Sequence, residues 1–173
     1  LETYMTHPIF DASIPVFIRT LNALDACLDK AQAHADNLKF DFNNLLSARL
    51  APDMFSLGRQ IQIACDFAKG VSARLANVEM PEYADSEITL AEYKARIANT
   101  IAFLHSIPAE KFAGAETREI IIMRKDTKRE YIGLAYLHHA GMPNFYFHVT
   151  TAYNILRHNG VLIGKKDFIG NVA

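Results

Sequence analysis

Asn144 and His148 stand four residues apart in the run Pro143-Asn144-Phe145-Tyr146-Phe147-His148. On a helix that spacing puts both side chains on one face. A neutral imidazole donates and accepts hydrogen bonds at once, and so does an amide. The pair therefore suits a small-ligand pocket with His148 as general base. A metal site built on one helix normally asks for two imidazoles at this spacing, and the pair supplies one. Gln60, Gln62 and Asp66 add polar groups to an otherwise apolar stretch. Burying such groups unpartnered costs about 1–3 kcal/mol each, so they imply a hydrogen-bonded network or a wet pocket. His138 and His139 are adjacent. Neighbours on a helix point about 100° apart and make poor joint ligands, so one is expected buried and the other solvated. The run from Gly160 to Lys166 has the wrong spacing for a phosphate loop.

Four periodic segments must position these groups. The first long helix follows Asp11, with Ser13 as the rival cap, and its stripe runs Ile14, Phe17, Leu21, Leu24, Leu28, Ala31 to an end near Asp36-Asn37. Pro15 fits only in the first turn. Asp41 to Leu46 reads as a short helical turn. The second helix has Ser56 as its cap and the stripe Leu57, Ile61, Ala64, Ala68, Val71, Leu75, widened by Ile63 and Phe67, so it is buried on more than one side. Asn77 to Ser86 is a loop. Thr89 and Glu92 form a capping box for the third helix, which ends at Ser106-Ile107-Pro108, with one more turn over Ala109 to Phe112. Arg118 to Arg124 is rich in β-branched residues and reads as a strand, Lys125 to Lys128 as a turn, and Arg129 to Ile132 as the returning strand. Gly133 to His139 is a helical lead-in. The fourth helix starts at Pro143 and stops before Gly160, with Arg157 and His158 in its last turn. The tail to Phe168 and Ile169 is apolar but broken by glycine, and reads as irregular. Such elements make an all-α four-helix bundle with a small β-hairpin between helices three and four, in a single domain over residues 1–173.

Composition narrows the function classes. The chain has 173 residues, half of them apolar and 21% charged, with net charge −1. Lys and Arg are scattered, so a nucleic-acid footprint is missing. No apolar run approaches the roughly 20 residues of a membrane span. Leu1 to Met5 lacks the basic and apolar regions of a signal peptide. Cys27 and Cys65 fall in apolar helical patterns and read as buried reduced thiols. A cytoplasmic protein without nucleic-acid or membrane partners is expected. The aromatic belt of Phe145, Tyr146, Phe147 and Tyr153 reads as core packing or a subunit interface.

Two stretches resemble a known family. Arg49-Leu50-Ala51-Pro52-Asp53-Met54-Phe55-Ser56-Leu57-Gly58 precedes the second helix. Asn144 to His148 and Leu156-Arg157-His158-Asn159-Gly160 belong to the fourth. Together they resemble the DinB/YfiT-like superfamily of small metal-binding bundles, and within it a bacterial branch classed as a domain of unknown function. The resemblance runs from Leu21 to Phe168. It implies a metal held by three His, one from the second helix and an i, i+4 pair from the fourth. On that pattern His148 takes the second position of the pair and Asn144 stands in place of the first. The remaining ligand position falls at or beside Gln62, and no His occurs between Asn43 and Ile101. Members with an intact triad include enzymes resembling thiol transferases and isomerases. With two imidazoles missing, that activity does not carry over.

The leading expectation is a bundle with a degenerate three-His metal site, leaving a small-molecule pocket around Gln62, Asn144 and His148, with Asp66 and Tyr153 as further pocket candidates. No metal is expected. The alternative is a divalent-metal-dependent transferase or hydrolase, thiol-transferase-like. It would hold zinc, nickel or manganese on His148 with Gln62, Asn144 or Asp66, and Asp53 as another available carboxylate. A second alternative is a structural or interaction protein acting as a homodimer, an arrangement common in the superfamily.

Overall fold

Apolar periodicity resolves into four long helices in the computed structural model, which describes residues 7–171. The amino-terminal stretch read for a leader, Leu1 to Met5, lies outside the described residues. A short helix α1 (Pro8–Asp11) leads into α2 (Ile14–Leu38), the first long helix. Pro15 sits in its first turn, where the missing N–H costs nothing. Ser13 precedes the helix but does not cap it by side chain; its hydroxyl donates to the Ile9 carbonyl at 2.5 Å. Lys39 ends α2 in the left-handed conformation, φ 59°. The turn α3 (Asn43–Ser47) follows.

The second long helix, α4 (Leu57–Ala76), lies at the centre, packed along α5 (Leu90–Ser106) and α7 (Met142–His158). Its central place explains its composition. Leu57, Ile61, Ala64, Ala68, Val71 and Leu75 fill the core, yet Gln60, Gln62, Lys69 and Ser72 are buried with them. The capping box of α5 is complete: Thr89 Oγ1 accepts from the Glu92 backbone, and Glu92 accepts from the backbone of Thr89 and Ile88. A 3-10 turn covers Ala109–Phe112.

Strands β1 (Glu119–Arg124) and β2 (Thr127–Ile132) pair antiparallel, from Glu119 opposite Ile132 to Arg124 opposite Thr127. The turn is therefore the two residues Lys125 and Asp126, tighter than the four the sequence suggests. Lys125 at φ 51° allows it, and Thr127 and Lys128 join the ladder. Arg118 ties the root of the hairpin to the bundle by donating to the carbonyls of Leu75 and, at 3.0 Å, Ala113.

The approach to the fourth long helix differs from the sequence reading. Pro143 does sit in the first turn of α7, which starts one residue earlier at Met142, but the lead-in runs into it without a break. A turn α6 (Gly133–Tyr136) passes into a π-helical turn (Leu137–Gly141), which runs on into α7. Pro143 has no N–H to donate and its ring would strike the carbonyl four residues back. A locally wider turn accommodates it without breaking the axis. The tail also gains order. After Gly160, at φ 88°, it forms α8 (Lys165–Ile169) against α2, pinned by the Lys30–Asp167 pair at 2.6 Å. Among the described residues no helix is long and apolar enough to cross a membrane.

Candidate ligand-binding site

His148 is buried at the α4–α7 contact. Its ring stacks on Phe67, centroids 5.8 Å apart, and meets the edge of Phe147. Its Nδ1 lies 2.6 Å from Gln60 Oε1. The amide of Gln60 is oriented by its other end, which donates to the Phe55 carbonyl at 3.2 Å. The oxygen therefore faces the ring, Nδ1 carries the proton, and Nε2 keeps its lone pair. Burial, with a smaller push from the nearby Arg59 cation, lowers the His148 pKa below its ordinary value. The group is a neutral imidazole with one basic nitrogen.

Gln62 is elsewhere. Residues two apart on a helix point about 200° from one another, so Gln60 and Gln62 cannot both face α7. Gln62 accepts from Arg59 Nη1 at 2.9 Å and donates to Glu87 Oε2 at 2.8 Å. Asn144 is exposed and returns its amide to the Ala140 carbonyl at 2.7 Å. Tyr153 packs edge-on against Phe168 of the tail, 5.6 Å between centroids. Asp53, His138 and His139 are all exposed, so neither member of the adjacent histidine pair is buried. Gln62, Asn144 and His148 thus have separate partners. These residues do not fit a three-His metal centre, and among the described residues no group of three or more His, Cys, Asp or Glu could hold a metal ion.

The charged network around Gln62 carries more than the sequence suggests. Arg96 is only 3% exposed. Its guanidinium meets Asp66 Oδ1 at 2.8 Å, Asp85 Oδ1 at 3.0 Å and Glu87 Oε1 at 2.8 Å. Arg59 holds Asp85 from the other side at 2.5 Å. Burial alone would raise the Glu87 pKa, but hydrogen bonds from Arg96 and Gln62 outweigh it and hold the carboxyl below its usual value. Asp85 and Glu87 lie in the loop before α5, so the network straps that loop to α4 and α5. The strap brings Tyr83 over Lys69, with Nζ 3.9 Å from the ring centroid. Arg96 was legible in principle: it occupies the apolar face that Tyr93, Ile97, Thr100 and Leu104 mark out on α5. An arginine on a core face demands carboxylates, and Asp85 and Glu87 stand just upstream.

Beside the strap a cleft of about 530 Å³ opens between α4, the hairpin and the start of α7. Asp66, Phe67, Lys69 and Arg74 come from α4, and Tyr83 from the strap. Arg129 and Tyr131 come from β2, with Tyr136 and Asn144 beyond. Asp66 and Asn144 therefore border one cavity, while Gln62, His148 and Tyr153 are not in its lining. Phe67 connects the two regions, since it lines the cleft and stacks on His148. A larger hollow of about 770 Å³ lies between the start of α2 and the tail. Its walls, including Phe10, Ile14, Ile18 and Ala23, are mostly apolar. Ligand sites combine apolar walls with a few convergent polar groups, and the smaller cleft meets that description better.

The architecture is a DinB/YfiT-like helical bundle carrying a two-stranded hairpin. A DinB family member protein from Shewanella denitrificans, known from its crystal structure, is similar to it at TM-score 0.91 and 43% identity, over 95% of this chain and 93% of that one. Residues 9–169 match the family described as Domain of unknown function (DUF1993), and the chain belongs to that family. No curated protein matches it.

Proposed function

We propose that this protein is a small-molecule-binding bundle whose ancestral-type metal site is degraded, and that the ligand enters the cleft between α4, the strap and the hairpin. The observation that carries the reading is the convergence of Lys69, Tyr83, Tyr131 and Asn144, from four separate elements, on one cavity. A volume of about 530 Å³ lies within the range of small-molecule sites. The ligand positions of the superfamily support the same conclusion from the other side. Asn144 donates to a backbone carbonyl and Gln62 is held by Arg59 and Glu87, so neither joins His148, whose Nδ1 faces Gln60. A metal-dependent transferase or hydrolase would need those side chains free to converge.

Ligand-observed NMR of the full chain against a fragment collection tests this, repeated on Tyr131→Leu. Fragments that bind the native chain and are lost in the variant are the expected result. Hits indifferent to Tyr131 would move the site elsewhere. Elemental analysis of untagged protein offers the opposing test. Near one metal per chain, lost in His148→Ala, would replace this reading with the metal-dependent one.

A further inference from the structure

We infer that the ligand of this cleft is a small aromatic anion, its carboxylate held by Lys69 and Arg129 and its ring packed among the tyrosines. The inference rests on the cleft being the binding site and adds what the site recognises.

The sign of the charge comes first. Lys69, Arg74 and Arg129 face Asp66 and Glu82 across the lining. Asp66 is not a free anion, because Arg96, which is outside the lining, holds its Oδ1 at 2.8 Å. Arg74 is matched by a neutral group, the Tyr136 hydroxyl at 3.3 Å from Nη1. Among the described residues no carboxylate lies within ion-pair distance of Arg74 or Arg129. The cleft therefore presents cationic groups in excess of its anions.

Lys69 is the most telling of them. It is 3% exposed, and a lysine so buried needs partners. Among the described residues they are Asp66 Oδ1 at 3.3 Å, shared with Arg96, and the face of Tyr83 at 3.9 Å. An ammonium has three donors, so these leave one for an acceptor in the cavity that Lys69 lines. A carboxylate there gains a charge-assisted bond in partly desolvated surroundings.

The aromatic component follows from the rest of the wall. Phe67, Tyr83, Tyr131 and Tyr136 are four rings from four different elements. Tyr131 and Tyr136 lie 5.5 Å apart at 49°, a tilted pair and not a parallel stack, and both line the cavity. Planar ring ligands are held by such walls through offset and edge-on contacts. An aliphatic acid would use the cations and waste the rings; an inorganic anion would leave most of the cavity unfilled.

Matched pairs of probes test both halves. Benzoate, 4-hydroxybenzoate and indole-3-acetate are titrated into the full chain by calorimetry, beside benzamide, 4-hydroxybenzamide and indole-3-acetamide. Acetate and inorganic phosphate serve as anions without a ring. At least one aromatic carboxylate should bind about tenfold tighter than its amide, and tighter than either small anion by a similar factor. Lys69→Met should erase the preference for the carboxylate. Because that variant also leaves Asp66 short of a partner, Arg129→Ala on the exposed strand is the second test, and it should narrow the preference while the chain stays folded. Amides binding as well as acids, lost in Tyr131→Leu, would overturn the anion and leave the cleft standing. Acetate or phosphate binding as tightly as the aromatic acids would overturn the ring. No binding by any probe would overturn the inference, and the fragment screen would then decide separately whether the cleft binds small molecules at all.

Discussion

Gln60 and His148 are paired across the α4–α7 contact, with 2.6 Å between Gln60 Oε1 and His148 Nδ1. The glutamine one turn-face away, Gln62, has no part in it. This pairing fixes the tautomer of His148, while burial, with a smaller push from Arg59, favours the neutral form of the imidazole.

Acid should expose that preference. The His148 pKa in the fold lies below the unfolded value of about 6.5, so the unfolded chain takes up the proton first. Stability is full above about pH 6.5 and falls as the pH drops from there toward the folded pKa. Urea midpoints of the native chain at pH 8 and pH 5.5 should differ, with the acid value lower. In His148→Gln that difference should shrink. Equal slopes in both proteins would remove His148 as the cause.

Arg96 holds three carboxylates, and its loss should be costly. Arg96→Met leaves Glu87, at 11% side-chain exposure, without its cation, while Asp66 and Asp85 can turn to water. A loss of about 3 kcal/mol is expected, or roughly 6–12 °C in Tm. Arg96→Lys should recover only part, since one ammonium cannot reproduce the guanidinium fork. A melting temperature unchanged in Arg96→Met would mean that the network contributes no net stability.

Gly133 joins the hairpin to α6 where no side chain fits. A Cβ there would lie 1.8 Å from the Ala115 carbonyl oxygen. Gly133→Ala should cost about 3 kcal/mol or more. Gly164→Ala, where a Cβ meets nothing within 4 Å, is the control and should stay within about 0.5 kcal/mol of the native chain. Thermal melts of the pair read the difference directly, and similar values would show that the junction relaxes.

Both thiols should be inert in the folded protein. Burial pushes the Cys27 pKa up to about 11 and Cys65 up to about 12. Reaction needs the thiolate, so Ellman's reagent at pH 8 should label neither residue until the chain is unfolded, when both react. Rapid labelling of one equivalent in native buffer would contradict the buried placement.

Much of the scaffold was legible in the sequence because its signals are local. The capping box needs only Thr89 and Glu92 at the right spacing, and it formed. Stripes of apolar residues mark the helices wherever they pack. The β-branched run before Lys125 marks a strand, although the turn closed two residues tighter because Lys125 takes a left-handed conformation. The π-helical turn before Pro143 was not legible. It lies just before a proline that has no N–H to donate, in a segment packed on α4.

The candidate site divides along the same line. By itself the sequence determined that the second helix carries polar groups, Gln60 and Gln62, at its apolar surface; the pair expected on the fourth helix divided, with His148 buried and Asn144 exposed. Only the tertiary structure decided which of them meet. Each helix position is rotated by about 100° from the last, so Gln60 and Gln62 point about 200° apart, and the rotational setting of α4 about its axis decides which of them meets α7. That setting is fixed by the sum of core contacts along the bundle and by no single residue. The cleft depends still more on tertiary structure: its cations and rings come from α4, the strap and β2, segments far apart in the chain and brought together by an arginine network and a hairpin root.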